Sequence, residues 1–176
     1  QTKIMNEGWA TYWHSRIMTE KALDASEIVD YADHASMVTA THGSQLNPYK
    51  LGVELYRHIR ERWDKGRHGK DFEEWDDMAA RDAWDLGRAG EGAKKLFEVR
   101  RTHNDVTFID EFLTFDFIRE QKLFAFGYNE HHRRYEIESR QFDDVKRKLL
   151  AQITNLGHPA IAVLDEVIGE AQAADP

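Results

Sequence analysis

The sequence predicts an α+β fold that is mainly α: a helical body followed by a small C-terminal element of β-hairpin, helix and strand. Three observations carry this reading. Apolar residues recur at spacings of three and four over most of residues 4–118. Helix-start signals (Asp24-x-x-Glu27, Asn47-Pro48, Asn104-Asp105) punctuate that run. Beyond about residue 119 the period changes to that of strands. We therefore expect residues 1–118 to form the helical body and 119–176 the small α+β element.

The elements follow in order. Met5, Trp9, Tyr12, Trp13 and Ile17 place an aromatic stripe on a helix from about Ile4 to Met18. Asp24 with Glu27 three residues on is a capping-box pattern, so the next helix should turn Ile28, Val29, Ala32, Ala35 and Ser36 inward. At Asn47-Pro48, Asn can cap free amides while Pro supplies the φ of a first helical position. Leu51, Leu55, Ile59 and Trp63 then share a face beside Tyr56, and Gly66 is placed to stop the helix.

Lys65 to Lys70 reads as a loop, and Trp75, Met78, Ala79, Asp82 and Ala83 as a short helix that breaks near Gly87 to Gly92. Ala93 to Arg101 is helical, Asn104-Asp105 caps a helix carrying Val106, Ile109, Phe112 and Leu113, and Phe115 to Ile118 starts another. Lys122 to Tyr128 and Arg134 to Ser139 are strands joined by a loop of hairpin length. Phe142 to Asn155 is an amphipathic helix presenting Val145, Leu149, Leu150 and Ile153, and Ala160 to Leu164 suits a third strand.

Composition bounds the function. Leu, Ile, Val and Phe supply 39 of the 176 residues, enough with five Trp and six Tyr for one aromatic-weighted core. The formal net charge of −8 disfavours generic binding to nucleic acid or an anionic membrane. Zero cysteines exclude disulfides, thiol chemistry and Cys-ligated zinc, which fits a cytoplasmic protein. No apolar run approaches a membrane span. The chain opens Gln-Thr-Lys-Ile-Met and reaches its first motif by residue 6, which reads as a fragment of a longer protein.

That motif, Met5-Asn6-Glu7-Gly8-Trp9-Ala10, is the most specific string. A glutamate on an aromatic-faced helix is expensive to bury unless it is neutralised, and a metal ion would neutralise it. Glu7, Thr11 and His14 fall at i, i+4 and i+7, on one helix face. The plainer reading of Glu7 is a capping or ion-pairing carboxylate, and that of His14 a core or surface histidine. The string also resembles the helix that gives the glutamate ligand to zinc in gluzincin-type metallopeptidases. The partner motif there, His-Glu-x-x-His, is absent from this sequence.

Weaker candidates follow. His34 and His42 could pair as metal or acid-base groups on adjacent elements, although nine histidines make chance proximity common. Tyr49 is explained by the helix start and could also offer a phenol to a cleft. His131-His132-Arg133-Arg134 reads as a solvated turn before a phosphate site, His103-Asn104-Asp105 as loop and N-cap, and the acids between Asp71 and Asp77 as a solvated face. Phosphate-loop, dinucleotide and Gly-x-Ser-x-Gly motifs are absent.

The opening string resembles a signature of the SpoVR family, the stage V sporulation protein R proteins. Later landmarks extend the resemblance over nearly the whole chain: His34, Asn47-Pro48-Tyr49-x-Leu51-Gly52, and Asp110-Glu111-Phe112-Leu113-Thr114. Family members are several hundred residues long, so the resemblance implies the C-terminal half of such a chain, without its last segment. It implies a His-x-x-x-Gly-His motif in the missing half, which together with Glu7 is similar to a divergent gluzincin site lacking the usual water-activating Glu. On that reading Glu7 is a ligand to a divalent metal such as zinc, His14 and His34 are second-sphere or proton-transfer groups, and the 176 residues alone are inactive. The resemblance also implies a role in spore cortex formation. It further implies association with a PrkA-type serine kinase and a von Willebrand A-like protein, which leaves a non-catalytic scaffold as the competing reading.

Overall fold

A computed structural model describes residues 2–40 and 46–154. Its element order is α1 (Lys3–Ile17), a π-helical turn (Met18–Ala22), α2 (Ile28–Thr39), α3 (Pro48–Asp64), α4 (Lys70–Glu73), α5 (Met78–Asp82), α6 (Glu91–Thr102), α7 (Asp105–Phe112), α8 (Phe115–Glu120), β1 (Ala125–Asn129), β2 (Arg134–Ser139) and α9 (Phe142–Ile153). The fold is α+β and mainly α, as the periodicity predicts. The third strand expected at Ala160 to Leu164 lies outside the described residues.

Helix α3 is the spine. It starts where expected, with Asn47 Oδ1 accepting from the amides of Tyr49 (2.9 Å) and Lys50 (3.2 Å). It ends before Gly66, whose φ of 68° suits a residue without Cβ. Leu51, Leu55, Tyr56 and Ile59 are buried along its length, with Trp63 half-buried beyond them. Helices α1 and α6 both pack against it, α7 touches α1, and α9 lies on α7 and β1.

Glycines set the closeness of two of these crossings. A Cβ on Gly8 would fall 2.5 Å from the Gly52 Cα, so α1 and α3 meet backbone to backbone. A Cβ on Gly92 would likewise collide with the Arg60 carbonyl, which seats α6 on α3. Around these contacts Met5, Leu55, Tyr56, Leu96, Phe108 and Phe112 are essentially inaccessible, each large apolar side chain contributing about 1.5–3 kcal/mol.

Two aspartates from distant sequence cap helices. Asp105 is only 2% exposed, and its carboxylate accepts from the amides of Ile4 (3.0 Å) and Met5 (2.9 Å), closing the N-terminus of α1. Asp64 Oδ1 accepts from the amides of Gly90 (2.8 Å) and Gly92 (2.9 Å) and so closes α6. The expected cap of α7 is Asn104, in a reciprocal capping box with Thr107.

Helix α2 departs from expectation. Glu27 Oε2 does accept from the Asp24 amide (3.0 Å), half of the capping box, but Val29 (66% exposed), Ala32 and Ser36 face out. Ile28, Tyr31, Ala35 and Thr39 are the half-buried positions instead. The inward face is thus rotated towards Tyr31, whose ring reaches α1. The 65–92 stretch adds a helical turn, α4, that the loop reading lacked, nucleated by buried Phe72 against Trp84. Asp77 caps α5, while the other acids of that run are exposed.

The hairpin pairs β1 and β2 antiparallel, from Phe126 opposite Ile137 to Asn129 opposite Arg134, with an irregularity at Ala125/Phe126. Its basic tip is held internally. Asn129 Oδ1 accepts from the amides of His131 and His132, and Glu136 binds both His132 (2.9 Å) and Arg134 (2.8 Å). The solvated-turn reading fits this arrangement.

Candidate functional site

The contact between Gly8 and Gly52 brings the two most specific strings of the sequence together. Asn6-Glu7-Gly8 lies on α1 and Asn47-Pro48-Tyr49-x-Leu51-Gly52 on the first turns of α3, and both Glu7 and Tyr49 are half-buried there. The negative charge of the nearby Glu7 carboxylate pushes the Tyr49 hydroxyl above the ordinary tyrosine value. Among the described residues Glu7 forms no ion pair with Lys, Arg or His.

The rest of the α1 terminus is fixed from outside. Asp105 holds the amides of Ile4 and Met5, and Arg100 Nη2 donates to Asn6 Oδ1 (2.8 Å). Thr11 Oγ1 donates to the Glu7 carbonyl (2.7 Å), an ordinary bond along the helix. The backbone carrying Glu7 is therefore clamped by α3, α6 and α7 together.

His14 and His34 lie elsewhere. Both line a groove of about 630 Å³ between α1, α2 and α3, walled by Ala10, Ala35 and Val53, with Tyr31 and Arg57 at its polar side. His14 Nδ1 lies 3.1 Å from the Tyr31 hydroxyl. Burial raises the Tyr31 pKa, partly countered by the positive charge of Arg57. Glu7 is not part of the groove wall; it sits two turns before His14, roughly 10 Å along the helix axis. Among the described residues no three His, Asp or Glu side chains are placed to hold a metal ion. His42 lies outside the described residues.

One titratable group escapes the sequence signals. His58, on α3, is half-buried, and its Nε2 lies 2.9 Å from Thr114 Oγ1. Burial first, and the Arg62 guanidinium second, push its pKa down to about 4, so it is neutral at neutral pH. No motif surrounds it. In sequence it stands among Arg57, Arg60, Glu61 and Arg62, so its burial against Thr114 is set by the tertiary fold rather than by any local signal. His103, by contrast, hydrogen-bonds Glu111 (2.8 Å) and the neighbouring Thr102, a local arrangement.

What the arrangement offers chemically is a carboxylate–phenol pair at one end of α1 and an imidazole–phenol pair at the other, the second opening on an apolar groove. No helix among the described residues is long and apolar enough to cross a membrane.

Comparison with known proteins places the chain. It is similar to YcgB of Escherichia coli (strain K12), described as an uncharacterized protein, with 25% identity over 165 residues. That alignment covers 88% of this chain and 30% of the relative, so the chain spans less than a third of that relative's length. No solved structure matches it. The family model described as SpoVR like protein matches residues 1–158, and the chain belongs to the SpoVR-like family.

Proposed function

We propose that this chain contributes one wall of a metal-dependent hydrolase-like site that is completed by the remainder of a longer SpoVR-like protein. The observation that supports this most is the setting of Glu7: a half-buried carboxylate, paired with the Tyr49 phenol and with no cation among the described residues. A capping or ion-pairing role would have given it an amide or an Arg, and the amides at that helix end are taken by Asp105.

The donor set suits a divalent metal such as zinc in part. One carboxylate is present, and with no cysteine in the chain the other ligands must be His or carboxylate groups. A relative about three times as long leaves ample chain to supply them. The metal, when bound, would supply Lewis acidity. Glu7 would hold it, Tyr49 would orient the Glu7 carboxylate and donate a proton in hydrogen bonding, and His14 and His34 would bind substrate or move protons at the groove. The physiological setting we propose is cytoplasmic, in spore cortex formation or stress physiology.

Metal analysis of the full-length protein tests this. We expect near-stoichiometric metal in the wild type and a tenfold or greater loss in Glu7→Gln, in line with the roughly 10- to 100-fold effects seen even for outer-shell changes. Equal, near-zero content in both ends the metal reading.

A second reading has its own support. Phe97, 52% exposed, packs edge-on against Trp9 (5.1 Å between centroids) and tilted against Trp13 (5.6 Å) to leave an aromatic patch across α1 and α6. On this reading the protein is a scaffold for partner proteins, such as a PrkA-type kinase or a von Willebrand A-like protein. Binding of a purified kinase that is lost in Phe97→Ser and kept in Glu7→Gln would favour it.

A further inference from the structure

A second pocket, of about 260 Å³, opens between the first turn of α3, the α8–β1 link and α9. Its floor is core: Leu51, Phe117, Val145 and Leu149 are all at least nine-tenths buried. Leu123 and Phe126 form a side wall. In a chain of net charge −8, three lysines, Lys50, Lys122 and Lys148, ring this one opening.

The lysines differ in how far they are neutralised. Lys148 Nζ donates to the Phe126 carbonyl (2.9 Å) and pairs with Glu138. Glu54, also in the lining, is engaged by Arg57 (2.7 Å). Lys50 and Lys122 have no side-chain hydrogen bond or ion pair among the described residues. Lys122 moreover holds φ at 51°, a left-handed conformation that residues other than Gly, Asn and Asp rarely adopt. This conformation closes the C-terminus of α8, with the Leu123 amide donating to the Ile118 carbonyl (3.0 Å), and places Lys122 at the rim.

We propose that this pocket binds a small organic monoanion, a carboxylate with an apolar body. At about 30 Å³ per water-sized group, the cavity accepts on the order of nine or ten non-hydrogen atoms, a medium-chain or aromatic acid. The apolar body lies on the Leu51–Leu149 floor, and the carboxylate meets Lys50 and Lys122 at the mouth. The two oxygens of one carboxylate can each accept a hydrogen bond from one of these two uncommitted ammonium groups.

The test uses the full-length protein and titrates octanoate by calorimetry and ligand-observed NMR, beside octan-1-ol, octylammonium and octyl phosphate. Octanoate should bind measurably, octan-1-ol more weakly, and octylammonium least. The combined variant Lys50→Met, Lys122→Met should weaken octanoate about five- to tenfold and leave octan-1-ol unchanged. No octanoate binding, equal binding of octanoate and octan-1-ol, or an unaltered affinity in the double variant would each overturn the site. Tighter binding of octyl phosphate than of octanoate would overturn the choice of a monoanion.

Discussion

Gly8 and Gly52 touch backbone to backbone where α1 crosses α3, and a Cβ on either would enter the other helix. The glycine beside Glu7 is therefore a packing residue, and it sets the distance at which Tyr49 meets that glutamate.

Either Gly8→Ala or Gly52→Ala should destabilise the fold by about 2–4 kcal/mol despite alanine's better helix propensity, because neither backbone can yield without disturbing the core. Urea unfolding followed by circular dichroism measures this. A change smaller than the propensity gain in either variant would show that the helices can separate freely.

Asp105→Asn replaces one of two accepting oxygens with an amide donor facing the backbone N–H groups of α1. We expect a loss of about 2 kcal/mol, with faster hydrogen exchange at Ile4 and Met5. Asn104→Ala, which removes the local cap of α7, should cost about 1 kcal/mol and leave those two amides protected. Equal protection of Ile4 and Met5 in Asp105→Asn and the wild type would contradict the cap.

Glu7→Gln should lower the Tyr49 pKa towards the ordinary tyrosine value, because the carboxylate charge favours the protonated phenol. Ultraviolet titration of tyrosinate, with Tyr49→Phe as the blank that identifies the signal, reads the direction. An unchanged titration would separate the two side chains.

His58 titrates near pH 4 in the folded state and near 6.5 when unfolded. Within that window the unfolded chain holds a proton that the native state lacks. The contribution is complete above 6.5 and is lost as pH falls towards 4, by up to about 3 kcal/mol. His58→Gln, which can keep a hydrogen bond to Thr114, should flatten this part of the stability profile by one proton. Parallel profiles for variant and wild type would place the acid sensitivity elsewhere.

Local signals were legible in the sequence and distant ones were not. Asn47, Pro48 and the Leu51–Leu55–Ile59 face specify α3 within one helix, and the hairpin shows itself by its change of period. The rotated face of α2 did not, because Val29 is as apolar as Ile28 and only the seat of Tyr31 against His14 decides between them. The roles of Asp105 and Gly8 depend on partners 101 and 44 residues away, beyond any periodicity. For the site, the sequence singles out Glu7, His14 and His34. The structure brings the two histidines to one groove and sets Glu7 against Tyr49 instead.

The Asp105 cap also bears on the order in which the molecule is made. Helix α1 is synthesised before its own cap, because the carboxylate that satisfies its leading amides follows about a hundred residues later. Until α7 emerges, the helix bearing Glu7 lacks both its cap and the α3 surface it rests on, and long-range closures of this kind form slowly. Helix α1 is thus completed late, and Glu7 reaches its setting beside Tyr49 only after α3 and α7 stand in place.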